Sequence, residues 1–400
     1  MTDVTDLYWD PFDVELDNDP YGVWRRMRDD APLYRNERFD FWALSRYDDV
    51  ERAHRDPSTF SSAHGTVLEL MGPESSLAGG SLIFLDPPDH TRLRSLVSRA
   101  FTPRRIAQLE VRIRELCREF LDAPRGNGSF DYVQDFGARL PALVIASLLG
   151  VPLADQQAVR EQIDLVFHIE PGVGMINDVS FGAQIWLWEY LSAQMEERRR
   201  SPRDDMLTDL GRAEITDDDG VVRTLTPTES THFANLLISA GTETVAKLLG
   251  WAAVTLAAHP DQRAELVADP ALVPNAIEEL LRYEAPSPVQ GRWTHADVEL
   301  HGERLAAGSK VLLLTGSAGR DERKYADPDR FDIHRHFDHH VSFGYGIHFC
   351  IGAALARLEG RVALEETLQR YPEWDVDHDS CVRMHTSTVR GYASVPITPT

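Results

Sequence analysis

The chain has 400 residues and a formal net charge of −23, with 64 acidic side chains against 41 Lys and Arg. A surface this acidic favours solubility and disfavours nonspecific nucleic-acid binding, which needs clustered cations on phosphate. Three cysteines, Cys117, Cys350 and Cys381, argue against a disulfide framework and for a reducing compartment, so we expect a cytoplasmic protein. The first residues, Met1 to Asp6, are acidic where a secretory leader is basic, and no apolar run reaches the ~18 residues that span a bilayer.

The patterning predicts a mainly α protein with small β regions, an α+β chain read as one domain over 1–400. Strand-like runs are short: Phe41 to Ser45, Val298 to Leu300, Lys310 to Leu314 and Val389 to Ile397. We expect a β-rich N-terminal part over about 1–60 and a helical core over about 85–370. The segment Asp86-Pro87-Pro88-Asp89 leads into His90 to Arg105, which carries Arg92, Arg94, Arg99, Arg104 and Arg105 and no acid. That stretch reads either as a solvated helix face or, as we prefer, as an anion site with a partner patch. Helical periodicity follows over Ile106 to Leu121, Leu140 to Leu149 and Ile185 to Arg199, with short polar linkers such as Ala123 to Ser129, Ser201 to Asp205 and Thr216 to Gly220.

The clearest helix runs from Thr226 to about His259. Thr226 and Glu229 form a capping box, Pro227 takes the first helical position and Pro260 ends the run. At 1.5 Å per residue it spans roughly 50 Å. Midway lies Ala240-Gly241-Thr242-Glu243-Thr244, where Gly241 and a back-bonding Thr244 should loosen the ladder and make room for a small ligand. A hydroxyl and a carboxylate there could orient water and pass protons; the competing reading is a kinked core helix with Glu243 in a salt bridge. Further on, Glu279-Leu280-Leu281-Arg282 puts an acid and a guanidinium on one helix face.

The most informative run is Phe343-Gly344-Tyr345-Gly346-Ile347-His348-Phe349-Cys350-Ile351-Gly352, feeding a helix from Ala353 to Leu368. Gly344 and Gly346 permit positive-φ turns, and Gly352 removes a side chain where a flat group would approach the backbone. Cys350 at a helix start is favoured as thiolate, the form that binds metal. A lone cysteine is otherwise a small buried hydrophobe.

This run resembles the haem-binding loop of the cytochrome P450 superfamily, of the bacterial, soluble, ferredoxin-dependent type. The order of motifs agrees: a Thr-bearing long helix, Glu-x-x-Arg, Pro328-Asp329-Arg330-Phe331, then the cysteine loop. The resemblance covers about Asp10 to Pro396 and implies a triangular, helix-rich prism with haem between the long central helix and the cysteine-bearing helix. It implies Cys350 as the iron ligand, Thr244 as the hydroxyl at the iron and Glu243 as the acidic proton relay. It also implies a buried triad of Glu279, Arg282 and Arg330, in which Arg330 adds a second donor fork to Glu279. The propionates of haem b would meet His90 and Arg94 on one side and Arg292 on the other, His348 would add a contact beside the thiolate, and Ala240, Gly241, Phe343, Gly344 and Gly352 would complete the cofactor site. One departure is Gly319, where the family usually carries Asn.

The implied reaction inserts one atom of O₂ into a hydrophobic small molecule of terpenoid, steroid, branched-lipid or polyketide type. A separate ferredoxin and ferredoxin reductase would supply electrons, because no Gly-x-Gly-x-x-Gly fingerprint occurs. The ferredoxin could dock on Arg104, Arg105, Arg357 and Arg361, unless the last two serve their own helix. By family position the substrate would meet the loop from Thr66 to Leu82, including Met71 and Leu82, then Phe167 and Ile176, with Met175 nearby, and Leu237, Ala240, Val289, Thr388 and Val389. The resemblance implies a monomer with no membrane insertion. A peroxide-driven haem oxidase and a noncatalytic haem sensor or carrier are the alternatives.

Overall fold

The computed structural model describes residues 7–73, 81–126, 128–170, 173–174, 176–216, 220–336 and 338–400, with the side chains of 98–100 excepted. Met175, the side chain of Arg99 and the part of the Thr66 to Leu82 loop at 74–80 therefore lie outside the described residues.

The long helix runs Pro227–Ala258, 32 residues, with Thr226 as its cap and Glu229 closing the capping box. Local sequence decides both ends: Thr226 Oγ1 accepts from Glu229 N at 3.2 Å, Glu229 Oε2 accepts from Thr226 N at 2.8 Å, and Pro260 opens the next helix, Pro260–Ala268. The expected loosening at Gly241 is not a break, since the helix is continuous through it. The apolar helices Glu110–Asp122, Arg139–Leu149 and Asp178–Arg200 pack with it and with the cysteine-proximal helix Ala353–Arg370 around the largest core cluster.

Some boundaries differ from the sequence reading. The run expected over Ile106 to Leu121 divides at Leu109 into Pro103–Gln108 and Glu110–Asp122. The helix expected from Ile185 begins at Asp178, because Asn177 caps it through Ser180 N. The first 60 residues are not β-rich: they hold the helices Val14–Asn18, Tyr21–Asp30 and Tyr47–Arg55 beside short strands. Those strands join a five-stranded sheet in the order Leu33–Asn36, Phe41–Leu44, Lys310–Leu313, Gln290–Thr294, Phe60–Ser61. Two of these short strands take partners far along the chain, Phe41–Leu44 beside Lys310–Leu313 and Phe60–Ser61 beside Gln290–Thr294, so their pairing is not set by local propensity. The sheet places Arg292 opposite Val311.

Arg282 sits at 0% exposure and uses all of its N–H directions. It donates to Glu279 at 2.6 and 2.7 Å, and to the carbonyls of Gly319 at 2.7 Å, Pro328 at 2.8 Å and Arg330 at 3.3 Å. The second guanidinium of the expected triad is different from the one expected: Arg335 Nε, not Arg330, donates to Glu279 Oε1, at 3.2 Å. Arg330 is exposed and contributes only its carbonyl, which accepts from Arg282 and, at 2.9 Å, from Arg335. Gly319 has a steric reason: a Cβ there would lie 2.5 Å from the Arg282 carbonyl oxygen. We expect Arg335→Ala to lower unfolding stability by about 1–2 kcal/mol, because one buried carboxylate loses a charged donor, and Arg330→Ala to change it by no more than about 0.5 kcal/mol; urea unfolding of the two variants checks both.

Candidate functional site

Along the long helix, most side chains from Val245 to Ala253 are buried, whereas Leu236 and Thr244 are partly exposed and Ala240 is exposed. These three lie at i, i+4 and i+8, one stripe of the helix. An exposed alanine halfway along the helix that crosses the main core marks an internal opening. Gly241 flanks that stripe and packs on Ile145, 3.5 Å from the position of a Cβ. Thr244 Oγ1 donates back to Ala240 O at 3.3 Å, so its hydroxyl is held on the open stripe. Glu243 turns to the neighbouring stripe, where its carboxylate pairs with Lys247 Nζ at 2.5 Å. Lys247 Nζ also donates to Tyr392 O at 2.9 Å. Asp164, on the helix Gln156–Val166, is close enough for the Glu243 charge to act on it; burial chiefly raises its pKa, and Glu243 adds to that. Lys247 is the i,i+4 partner of Glu243 on the same helix, so the salt bridge offered as the competing reading is formed, whereas Asp164 comes from a packed neighbouring helix and carried no signal in the sequence.

The cysteine loop is folded by its own backbone. Gly344 and Gly346 take φ of +68° and +67°, and a Cβ on Gly346 would sit 2.4 Å from the His54 carbonyl oxygen. Cys350 N donates to Phe343 O at 2.9 Å, which closes the loop below the sulfur. At Gly352 the nearest atom to a Cβ position is the Cys350 sulfur at 3.9 Å, leaving the face beside it open. Burial pushes the Cys350 thiol up, against the opposing pull of the Gly352 N–H, Arg94, Arg357 and the Ala353 N–H. The helix start alone therefore does not make the thiolate that the sequence suggested; a bound cation does so outright. Phe343 is held from behind: Arg357 lies 4.6 Å over its ring and donates to Glu278 at 2.6 and 2.8 Å, while His340 Nε2 lies 3.1 Å from Glu278.

The bases expected around an anion converge. His90 and Arg94 share one face of the helix Asp89–Ala100, and the His90 and His348 rings are 4.2 Å apart. Arg94 donates to the Phe349 carbonyl, directly before Cys350. Burial beside Arg94 takes His90 down to about 4, and burial with Arg292, His90 and Arg94 takes His348 to about 2. Arg292 is 4% exposed, is lowered by burial to about 10, and has no carboxylate at ion-pair distance among the described residues. Both ring nitrogens of His90 and Nε2 of His348 are buried without a hydrogen-bond partner. One further residue joins them: His54, from the helix Tyr47–Arg55, with Nδ1 3.3 Å from Arg292 Nη2.

The apolar positions divide into two groups. Leu82 and Leu237 are buried in the main core cluster, with Phe167 packed against it. Met71 and Val289 belong to a separate cluster with Trp9, Trp24 and Leu312, and Met71 closes over Gly291. Ile176 is 52% exposed, so the structure does not gather it with the others. The turn before the last strands is tied down: Thr388 Oγ1 donates to Val289 O at 2.9 Å, Val389 N to Thr386 Oγ1 at 2.7 Å, and Ser387 Oγ to Glu69 at 2.6 Å. The arginines expected to meet a partner are mostly paired. Arg105 donates to Asp209, Arg357 to Glu278, and Arg361 to Glu110 and Glu365, leaving Arg104 exposed.

The family model for cytochrome P450 matches residues 39–398. The chain belongs to the cytochrome P450 family. It is 42% identical over 397 residues to a putative cytochrome P450 123 of Mycobacterium tuberculosis, covering 98% of this chain and 97% of that protein. It is 36% identical over 385 residues to the vitamin D(3) 25-hydroxylase of Pseudonocardia autotrophica, covering 95% and 93%. The crystal structure of CYP109E1 from Bacillus megaterium in complex with corticosterone superposes with a TM-score of 0.86 at 32% identity, covering 96% of this chain and 99% of that one.

This P450 is a monooxygenase with a haem-thiolate iron, and its residues fit that group. Buried imidazole nitrogens without partners and a buried guanidinium without a carboxylate are what a dianionic cofactor satisfies. The open face beside Gly352 accepts a flat ring. Among the described residues, no helix is long and apolar enough to cross a membrane.

Glu278 ties the loop to both flanking helices and sits at about 2: burial raises it, but Arg357 and His340 outweigh that. A depressed folded pKa gives stability that is full above the unfolded value of about 4.3 and is lost as pH falls toward 2. We expect the stability difference between the protein and Glu278→Gln to shrink as pH drops from about 5 to about 2, as measured by denaturant unfolding across that range.

Proposed function

We propose that Cys350 ligates the iron of haem b and that the protein inserts one atom of O₂ into a steroid-like or secosteroid-like apolar molecule, the second atom leaving as water. The observation that carries this reading is the open stripe of Leu236, Ala240 and Thr244 in the middle of the longest helix, bearing a held hydroxyl beside a buried acid. The substrate class is supported by relatives: one is named a vitamin D(3) 25-hydroxylase, and another was crystallised with corticosterone. The apolar character of Leu82, Phe167, Leu237 and Ala240 agrees with it, and no cation stands among them to select a carboxylate.

When bound, haem supplies the binding and cleavage of O₂, with electron density pushed from the cysteine thiolate. The chain does the rest. Arg94, His90, Arg292 and His348 hold the propionates, and the Cys350 loop, braced by Arg357 and Glu278, fixes the sulfur. Thr244 presents a proton donor on the open side of the helix. Glu243, on the neighbouring stripe, pairs with Lys247 and acts on Asp164 from a distance, a polar side by which protons reach the helix without water flooding the apolar opening.

Two electrons come from outside. A ferredoxin and its reductase are the source we infer, as the chain carries no dinucleotide fingerprint. With Arg105, Arg357 and Arg361 already paired to acids, docking there is weaker than a count of basic residues suggests, and Arg104 is the cation left most open to it.

The reading is tested by titrating the purified protein with corticosterone and vitamin D₃ and then reconstituting it with a ferredoxin and reductase under ¹⁸O₂. A low-to-high-spin shift and a product carrying one labelled oxygen are expected; spectra unmoved by either ligand, with turnover only of unrelated compounds, would reject the substrate class. In the same assay Thr244→Ala should lower product formed per electron pair by about tenfold or more, with peroxide rising, while the spin shift on binding stays the same.

A further inference from the structure

His54 lies on the helix Tyr47–Arg55, outside every motif that marks the haem site, and it is 3% exposed. Its Nδ1 is 3.3 Å from Arg292 Nη2. A guanidinium has donors and no acceptor, so Nδ1 must offer its lone pair. A neutral imidazole has one N–H, and with Nδ1 as acceptor that hydrogen is on Nε2. Burial, with Arg292 and His348 adding to it, holds the ring well below its usual pKa, in agreement with the neutral form. Nε2 is buried and has no hydrogen-bond partner. The tautomer fixed by Arg292 therefore leaves a desolvated N–H donor with nothing to receive it, an arrangement that is costly unless an acceptor is supplied.

The surroundings show what kind of acceptor fits. His54 touches the cysteine loop: its Cε1 lies 3.6 Å from the Cβ position of Gly344, and its carbonyl blocks any side chain at Gly346. Its other neighbour, Arg292, spends one donor on the Gly291 carbonyl at 2.7 Å and has no carboxylate partner among the described residues. A donor and a cation, both buried and neither with an anion in contact among the described residues, sit side by side against the cysteine loop, the Asp86 carboxylate acting on Arg292 only from further off. We propose that His54 is a further cofactor-binding residue, donating its Nε2–H to the haem propionate that Arg292 holds.

The contact does two things. It adds a hydrogen bond to a carboxylate, and it couples that carboxylate to the loop of the iron ligand through Gly344 and Gly346. Donation to the propionate also draws charge from it, which favours the ferrous state.

The proposal rests on the haem-thiolate reading above, and the experiment separates the two. Haem loss from the ferric holoprotein to an excess of apomyoglobin is timed for the protein, His54→Phe and His54→Gln, and midpoint potentials are measured on the same samples. Phe keeps the ring's bulk against the loop and removes the donor; Gln places an amide N–H near the position of Nε2. Haem loss about tenfold faster in His54→Phe, with a lower potential, and both largely restored in His54→Gln, is the expected result. Equal rates for the protein and His54→Phe, or His54→Gln as fast as His54→Phe, would overturn the role of His54 and leave the haem reading intact. Failure of the unaltered protein to hold haem at all would remove that reading, and His54 with it.

Discussion

One buried ion pair organises the side of the molecule that carries the cysteine. Glu279 and Arg282 are both fully buried, and neither could be there without nearly complete satisfaction, since an uncompensated charge in the interior costs several kcal/mol. Arg282 spends its donors on Glu279 and on three backbone carbonyls, of Gly319, Pro328 and Arg330. Glu279 spends its acceptors on Arg282, Arg335 and Asp332 N, the last at 2.9 Å. The pair thus fixes an irregular stretch of chain that has few ladder hydrogen bonds of its own, and that stretch leads into the loop ending at Cys350. Gly319 belongs to the same constraint, since its carbonyl faces Arg282 and a side chain would collide with the Arg282 backbone.

The opposite electrostatic condition holds a short distance away. Around Arg292, His90, His348 and His54 the donors are in place and the acceptors are not. In a chain with a net charge of −23, a buried basic cluster with no carboxylate at ion-pair distance among the described residues, Asp86 acting on Arg292 and His90 only from further off, is not the result of composition. It is preorganisation for a dianion, and the stability withheld there is returned when the cofactor binds. The Glu279 network braces the stretch that leads to the Cys350 loop, and the basic cluster lies beside that loop.

Features settled by neighbouring residues were legible in the sequence. The long helix has its capping box, its proline at the first turn and its proline after the end, all within a few residues of the boundary they set. The same is true of the glycines of the cysteine loop, whose positive φ follows from their own lack of a side chain. What escaped the sequence depends on residues far apart in the chain. Arg335 takes the place of Arg330 because the chain folds back on itself there, so that Arg335 also reaches the carbonyls of Ala326, Asp327 and Arg330. His54 meets Arg292 across 238 positions. Of the basic residues expected to wait for a partner, Arg105, Arg357 and Arg361 are met by Asp209, Glu278 and Glu110, none adjacent in sequence, and only the further pair of Arg361 with Glu365, one turn on in its own helix, was open to reading. An ion pair across 79 or more positions leaves no local pattern to read.

The central claim is that Cys350 supplies a thiolate to haem iron. The most direct measurement is the absorption spectrum of the dithionite-reduced protein under carbon monoxide, taken for the unaltered chain and for Cys350→Ala. A Soret band at the red-shifted position of a thiolate-ligated ferrous carbonyl, lost in Cys350→Ala, is the expected result. A protein without haem, or a spectrum indifferent to the loss of Cys350, would contradict it.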